Sequence, residues 1–191
     1  MKISLEKGGT ISLSKANEGL KKVLFGAGWD LNEDTGGSFD LDISAVLREG
    51  GKVTNPQNLV FYNNLKSPCE SVVLSGDNRT GAGEGDDESI SIDLEKVPSN
   101  IDSILFTISI HKAEERNQNF GQVKNSFVHL QNQETGQEIA NYDLAQQFSN
   151  ETLIVVGEIV RNAGEWVFEA QSEARTGGLQ KYLEGLGFEI G

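Results

Sequence analysis

Residues 152–170, TLIVVGEIVRNAGEWVFEA, hold two runs rich in β-branched and aromatic residues, 152–161 and 165–170, on either side of Asn162-Ala163-Gly164. Such side chains suit a pleated, half-buried surface, and a connection this short is of hairpin length. The stretch therefore predicts an antiparallel hairpin. Comparable runs recur outward from it: VLFGAGW (23–29), FDLDI (39–43), LVFYNN (59–64), SVVLS (71–75), SISIDL (89–94), SILFTISIH (103–111) and SFVHL (126–130). Turn signals such as Gly50-Gly51, Asn55-Pro56 and Pro98-Ser99-Asn100 separate them. Helical patterning is confined to AEERNQNFG (113–121) and GLQKYLEGL (178–186). The expected class is mainly all-β, an antiparallel β-sandwich with one or two short helices. A length of 191 residues suits one such domain over 1–191.

Charge is distributed unevenly along this frame. The chain carries a net charge of −13. Residues 30–42 (DLNEDTGGSFDLD) contribute −5 and residues 76–88 (GDNRTGAGEGDDE) contribute −4, so two short segments hold most of it. A chain of this balance repels nucleic acid and anionic lipid, and a concentrated anionic pocket attracts cations. The single cysteine, Cys69, excludes an intrachain disulfide framework and suits a reducing compartment. The start MKISLEKGGTISL lacks an apolar run of signal-peptide length, and no stretch approaches a membrane span. The expectation is a cytoplasmic protein that neither inserts into the membrane nor binds nucleic acid.

The acids acquire a direction from strand geometry. In Phe39-Asp40-Leu41-Asp42-Ile43 a period of two sends the apolar side chains to one face and both aspartates to the other. Aspartate is a poor strand former, so two of them among strong β formers suggest a side-chain requirement, against the plainer reading of two solvated surface acids. In the loop, Gly81, Gly83 and Gly85 alternate so that backbone carbonyls can turn inward, while Asp77, Asn78, Asp86, Asp87 and Glu88 offer hard oxygens. Calcium takes six to eight such oxygens. The twelve residues from Asp77 to Glu88 do not form an EF-hand loop, because Arg79, Gly81 and Ala82 fall where that loop needs other residues and strands flank it. Arg79 is either a bridge between carboxylates or a solvated side chain.

Other chemistries fare worse. GAGEG has no Gly-Lys-Ser/Thr and its acids would repel a phosphate. His111, His129 and Cys69 have no transition-metal spacing, and the two histidines, in apolar strands, are expected to be hydrogen-bonded structural residues. No nucleophile elbow is present. Crowded carboxylates do not suit a glycosidase, which must keep one of its pair protonated. The expectation is a protein that is not an enzyme. Alternatives are a calcium-dependent carbohydrate-binding module, for which Trp29 beside Asp30 is the candidate platform, and, more weakly, a metal-dependent hydrolase.

Several segments carry a family resemblance. GWD (28–30), FDLDISA (39–45), FYNNLKSP (61–68), GDNRTGAGEGDDE (76–88), FTISIHKAEERNQNFGQV (106–123), GEIVRNAGEWVFEA (157–170) and GGL (177–179) are similar to the TerD family of tellurium-resistance and general stress proteins. The resemblance implies a β-sandwich, two adjacent calcium ions, no established catalytic activity, and a cytoplasmic role in resistance to tellurite and other stresses. It implies partnership with a TerC-type membrane protein and with paralogous TerD-like proteins. Carried over residue by residue, the calcium pocket falls on Asp40, Asp42, Asp77, Asn78, Asp86, Asp87 and Glu88, with Asp30 added and carbonyls from Gly83 and Gly85. Departures from the family pattern lie at Val46, where DLDISAV replaces a stretch ending in phenylalanine, at Ile159-Val160-Arg161-Asn162, where the family has a tyrosine-arginine-histidine stretch, and in the looser C-terminal stretch, while the pocket residues themselves match.

Overall fold

The computed structural model describes residues 8–16, 18–30, 38–75, 85–144 and 148–189. Eleven strands are found among them: β1 (Thr10–Ser12), β2 (Lys22–Gly28), β3 (Leu41–Arg48), β4 (Leu59–Val60), β5 (Val72–Ser75), β6 (Glu88–Asp93), β7 (Ser103–Ile110), β8 (Phe127–Asn132), β9 (Glu138–Asp143), β10 (Leu153–Asn162) and β11 (Glu165–Arg175). Short helices follow β1 (α1, Leu13–Ala16), β7 (α2, Ala113–Arg116) and β11 (α3, Gly178–Gly185). The strands form a six-stranded sheet, ordered β1-β11-β10-β7-β3-β4, and a five-stranded sheet, ordered β5-β6-β2-β8-β9. Every strand pairing is antiparallel.

The hairpin at 152–170 forms as the sequence predicts, with Val160 opposite Val167 and Asn162 opposite Glu165. Its strands run further toward each other than the apolar runs do, leaving Ala163 and Gly164 at φ 49° and 84°, the left-handed pair that a tight twisted turn needs. Two of the predicted segments form differently from expectation, and β1, α1 and β9 lie outside the predicted segments. LVFYNN gives a strand only at Leu59–Val60, because Phe61 and Asn64 close a turn on each other. AEERNQNFG breaks after one helical turn at Asn117, φ 53°, and resumes as a 3-10 turn over Phe120–Gln122.

The core lies between the sheets, where the Phe25 and Phe106 rings stack with centroids 4.7 Å apart. A second apolar layer covers the outer face of the six-stranded sheet, where Leu183 of α3 and Phe188 pack on Val46, Leu105 and Val155. This second layer explains why SILFTISI is apolar without alternation: β7 is buried along its whole length. It also changes the setting of β3, whose Asp42 sits on a covered face.

Candidate metal centre

One end of the sandwich collects the acidic segments. Antiparallel pairing sets the exit of β2 beside the entry of β6, with Ala27 opposite Glu88, and the entry of β3 beside the exit of β7, with Leu41 opposite Ile110. Asp30, Asp40, Asp42, Asp86, Asp87 and Glu88 therefore all lie at or near strand ends on the same side. Asp77, Asn78 and Gly83, with Arg79, lie outside the described residues.

The residues between 85 and 88 tie the two sheets together. Glu88 alternates with Ile90 and Ile92 and so points between the sheets, where it is 2% exposed. Its Oε2 accepts the Ile43 backbone N–H at 2.8 Å. Strand β4 pairs only with Ala45 and Val46, so Ile43 lies beyond its end, and the carboxylate supplies the acceptor that a longer strand would have given. Asp87 accepts the Trp29 backbone N–H on Oδ2 at 2.9 Å and donates its own backbone N–H to the Ala27 carbonyl at 2.8 Å. Gly85 has φ 99°, a conformation that favours glycine, and its carbonyl lies over Gly28, where a Cβ would come within 2.9 Å of it.

The remaining acids take separate partners. Asp42 is 5% exposed on the outer face of the six-stranded sheet, with Oδ2 3.3 Å from His111 Nδ1. The Asp40 carbonyl accepts the His111 backbone N–H at 2.8 Å, extending the β3–β7 ladder by one step. Asp86 Oδ1 lies 2.7 Å from His129 Nε2 on the outer face of the five-stranded sheet. Asp30 Oδ2 accepts from Asn125 Nδ2 at 2.6 Å. The plain reading of Asp40 and Asp42 as solvated acids is corrected: both are buried. Among the described residues, no three His, Cys, Asp or Glu side chains come close enough together to hold a metal ion. Asp42 and Asp86 in fact face opposite outer sides of the sandwich, as their neighbours Ile43 and Phe25 with Ala27 define the inside.

Electrostatics follow from this crowding. Burial raises the Asp87 carboxyl above its ordinary range; the Trp29 N–H pulls it back, and the fields of Asp86 and Asp30 raise it further. The Tyr62 phenol is raised as well, by burial and then by the charge of Asp42. In metal-free protein the native state thus holds a proton on Asp87 at pH values where the unfolded chain has released it, so this group's contribution to stability falls as pH rises above the ordinary value of 3.8. Asp87→Asn keeps the acceptor for Trp29 and removes the charge. Its stability relative to wild type, measured by urea unfolding in chelator, is expected to improve as pH rises from the ordinary carboxyl value through the raised native one and then to level off; a pH-independent difference contradicts the assigned environment.

His129 is a hydrogen-bonding residue as the sequence suggests, with Asp86 as its partner, and His111 stands in ion-pair range of Asp42, so both histidines meet candidate ligand carboxylates. Nothing local signals this, since each meets its aspartate only through strand pairing. Trp29 is 4% exposed, and its indole N–H donates to the Phe39 carbonyl at 3.2 Å, so it offers no stacking platform for a sugar.

A family model described as the TerD domain matches residues 1–185. The chain belongs to the TerD family. General stress protein 16U of Bacillus subtilis (strain 168) is 51% identical to it over 193 aligned residues, covering 100% of both chains. Tellurium resistance protein TerD of Serratia marcescens is 49% identical over 180, covering 94% of each. The TerD-family fold is seen in a solved homologue of telluride resistance protein (TerD) from Streptomyces coelicolor A3(2), with a TM-score of 0.74 at 24% identity, over 86% of this chain and 95% of that one.

Proposed function

We propose that this TerD-family protein binds calcium, as two adjacent ions, at the acidic end of the sandwich, and serves tellurite and general stress resistance in the cytoplasm without catalysing a reaction. The observation that carries the reading is the run Gly85-Asp86-Asp87-Glu88: it is bonded to both sheets by main-chain and carboxylate contacts at the exit of the glycine-rich acidic loop. The donor chemistry fits. Asp30, Asp40, Asp86, Asp87, Glu88 and the Gly85 carbonyl are all hard oxygens, the kind calcium takes at about 2.3–2.6 Å, as is Asp42, which faces the opposite outer side from Asp86 and does not share an ion with it. The described side chains do not close a donor set by themselves, so the reading also draws on Asp77, Asn78 and the Gly83 carbonyl. Bound calcium supplies divalent charge that offsets repulsion among the carboxylates. Glu88 and Asp87 fix the register of the start of β6 against Ile43 and Trp29, and this acidic end of the sandwich is the surface offered to a TerC-type membrane protein and to TerD paralogues. Among the described residues no helix is long and apolar enough to cross a membrane. The names of the relatives, one a general stress protein and one a tellurium resistance protein, support the biological role.

Calorimetric titration of calcium into chelator-treated protein tests the reading. Saturable binding of two ions is expected, with magnesium much weaker, because magnesium demands near-octahedral geometry and gives up water reluctantly. Equal affinity for the two ions at the same ionic strength, or binding abolished by added salt, reduces the site to a diffuse negative patch.

A further inference from the structure

Asp86 is held by a device that the calcium reading does not require in advance. Val128 and Leu130 point into the inter-sheet core, so His129 between them points outward, onto the solvent side of the five-stranded sheet. Its side chain is nevertheless only 10% exposed. Nε2 lies 2.7 Å from Asp86 Oδ1, and because a carboxylate only accepts, Nε2 carries the proton of this bond. The pair rests on Gly26, the residue opposite His129 in the β2–β8 ladder. A Cβ at position 26 would stand 2.3 Å from both Asp86 Oδ2 and His129 Nε2, a distance that real side chains do not tolerate. Beside the pair opens a cavity of about 450 Å3, bordered by Asn125, Glu138 and Asn141 as well as by Asp86 and His129. Without the histidine, the carboxylate has space to swing away from the loop's exit.

We propose that His129 is a positioning residue of the calcium site, acting through Asp86, and that residue 26 is glycine to admit the pair. The inference rests on the calcium reading above. A hydrogen bond to a ligating carboxylate fixes its orientation, and loss of such a partner lowers metal affinity by about 10–100-fold. Gly26→Ala reaches the same end by another route: the atoms it displaces are the ends of flexible side chains, so the strand persists while the pair is pushed apart.

Calcium is titrated calorimetrically into chelator-treated wild type, His129→Leu, His129→Gln and Gly26→Ala, and each is also melted in chelator. Affinity is expected to fall by about 10–100-fold in His129→Leu and Gly26→Ala and to recover toward wild type in His129→Gln, whose amide N–H can stand where Nε2 stood. The metal-free melting temperature of His129→Leu is expected to stay near wild type. In an Asp86→Asn background, His129→Leu is expected to add little further loss, because the two act as one unit. If wild type binds calcium and His129→Leu and Gly26→Ala bind it as tightly or more tightly, the positioning role is overturned and the calcium reading stands. Failure of His129→Gln to recover, or a metal-free melting temperature that falls with affinity, assigns His129 to the fold alone and also overturns it. If wild type takes up no calcium, the calcium reading fails first and the positioning role goes with it.

Discussion

Adding 1 mM free calcium to chelator-treated protein is expected to stabilise it by about 4 kcal/mol per site, for a dissociation constant on the order of 1 μM, because the ion binds the folded chain and not the unfolded one. The selectivity for the folded state has a structural origin. Trp29 and Asp87, like Ile43 and Glu88, come from distant segments and meet only once β2, β3 and β6 have assembled. In a domain of this size each kcal/mol moves the melting temperature by about 2–4 °C, so a rise of about 8–16 °C per site follows. Differential scanning calorimetry with and without calcium reads it directly. Identical melting temperatures in chelator and in millimolar calcium would falsify the proposed function, whatever the surface charge of the protein.

Replacing Phe106 by alanine is expected to cost about 3–5 kcal/mol, the range for truncating a large aromatic in a packed core. Phe106 is fully buried near the middle of β7, and its ring stacks on Phe25 of β2. These strands belong to opposite sheets, so the stack joins the two layers rather than neighbours within one. Truncation leaves a cavity at that contact, and the surrounding strands, held by ladder bonds on both sides, have little freedom to collapse into it. Val73→Ala is the matched control: Val73 is 36% exposed on β5, at the edge of the five-stranded sheet, and its change is expected to fall within about 0.5 kcal/mol. Urea unfolding should show a lower midpoint with an unchanged slope for Phe106→Ala. A cost no larger than that of Val73→Ala contradicts the assigned core.

Features that depend on local chemistry were legible in the residues alone. Period-two alternation in Phe39-Asp40-Leu41-Asp42-Ile43 fixed which side chains face the inter-sheet core, and the apolar runs around Asn162-Ala163-Gly164 fixed a hairpin. Strand and turn spacing were enough for the antiparallel sandwich, and the carboxylate and glycine pattern of 76–88 was enough to single out hard oxygen donors and a family. Tertiary structure decided the rest. Strand β9, EIANYD, carries Asn, Asp and Ala that weaken any strand signal, and it exists through its pairing with β8. β1, three residues long, owes its place to β11. That Asp42 lies under cover rather than in water depends on the layer beyond the six-stranded sheet, which alternation within β3 cannot reveal. The pairing of His111 with Asp42 and of His129 with Asp86 was equally hidden, since each joins residues distant in sequence. Periodicity tells a side chain which face to take; only the packing of one layer on another settles what that face meets.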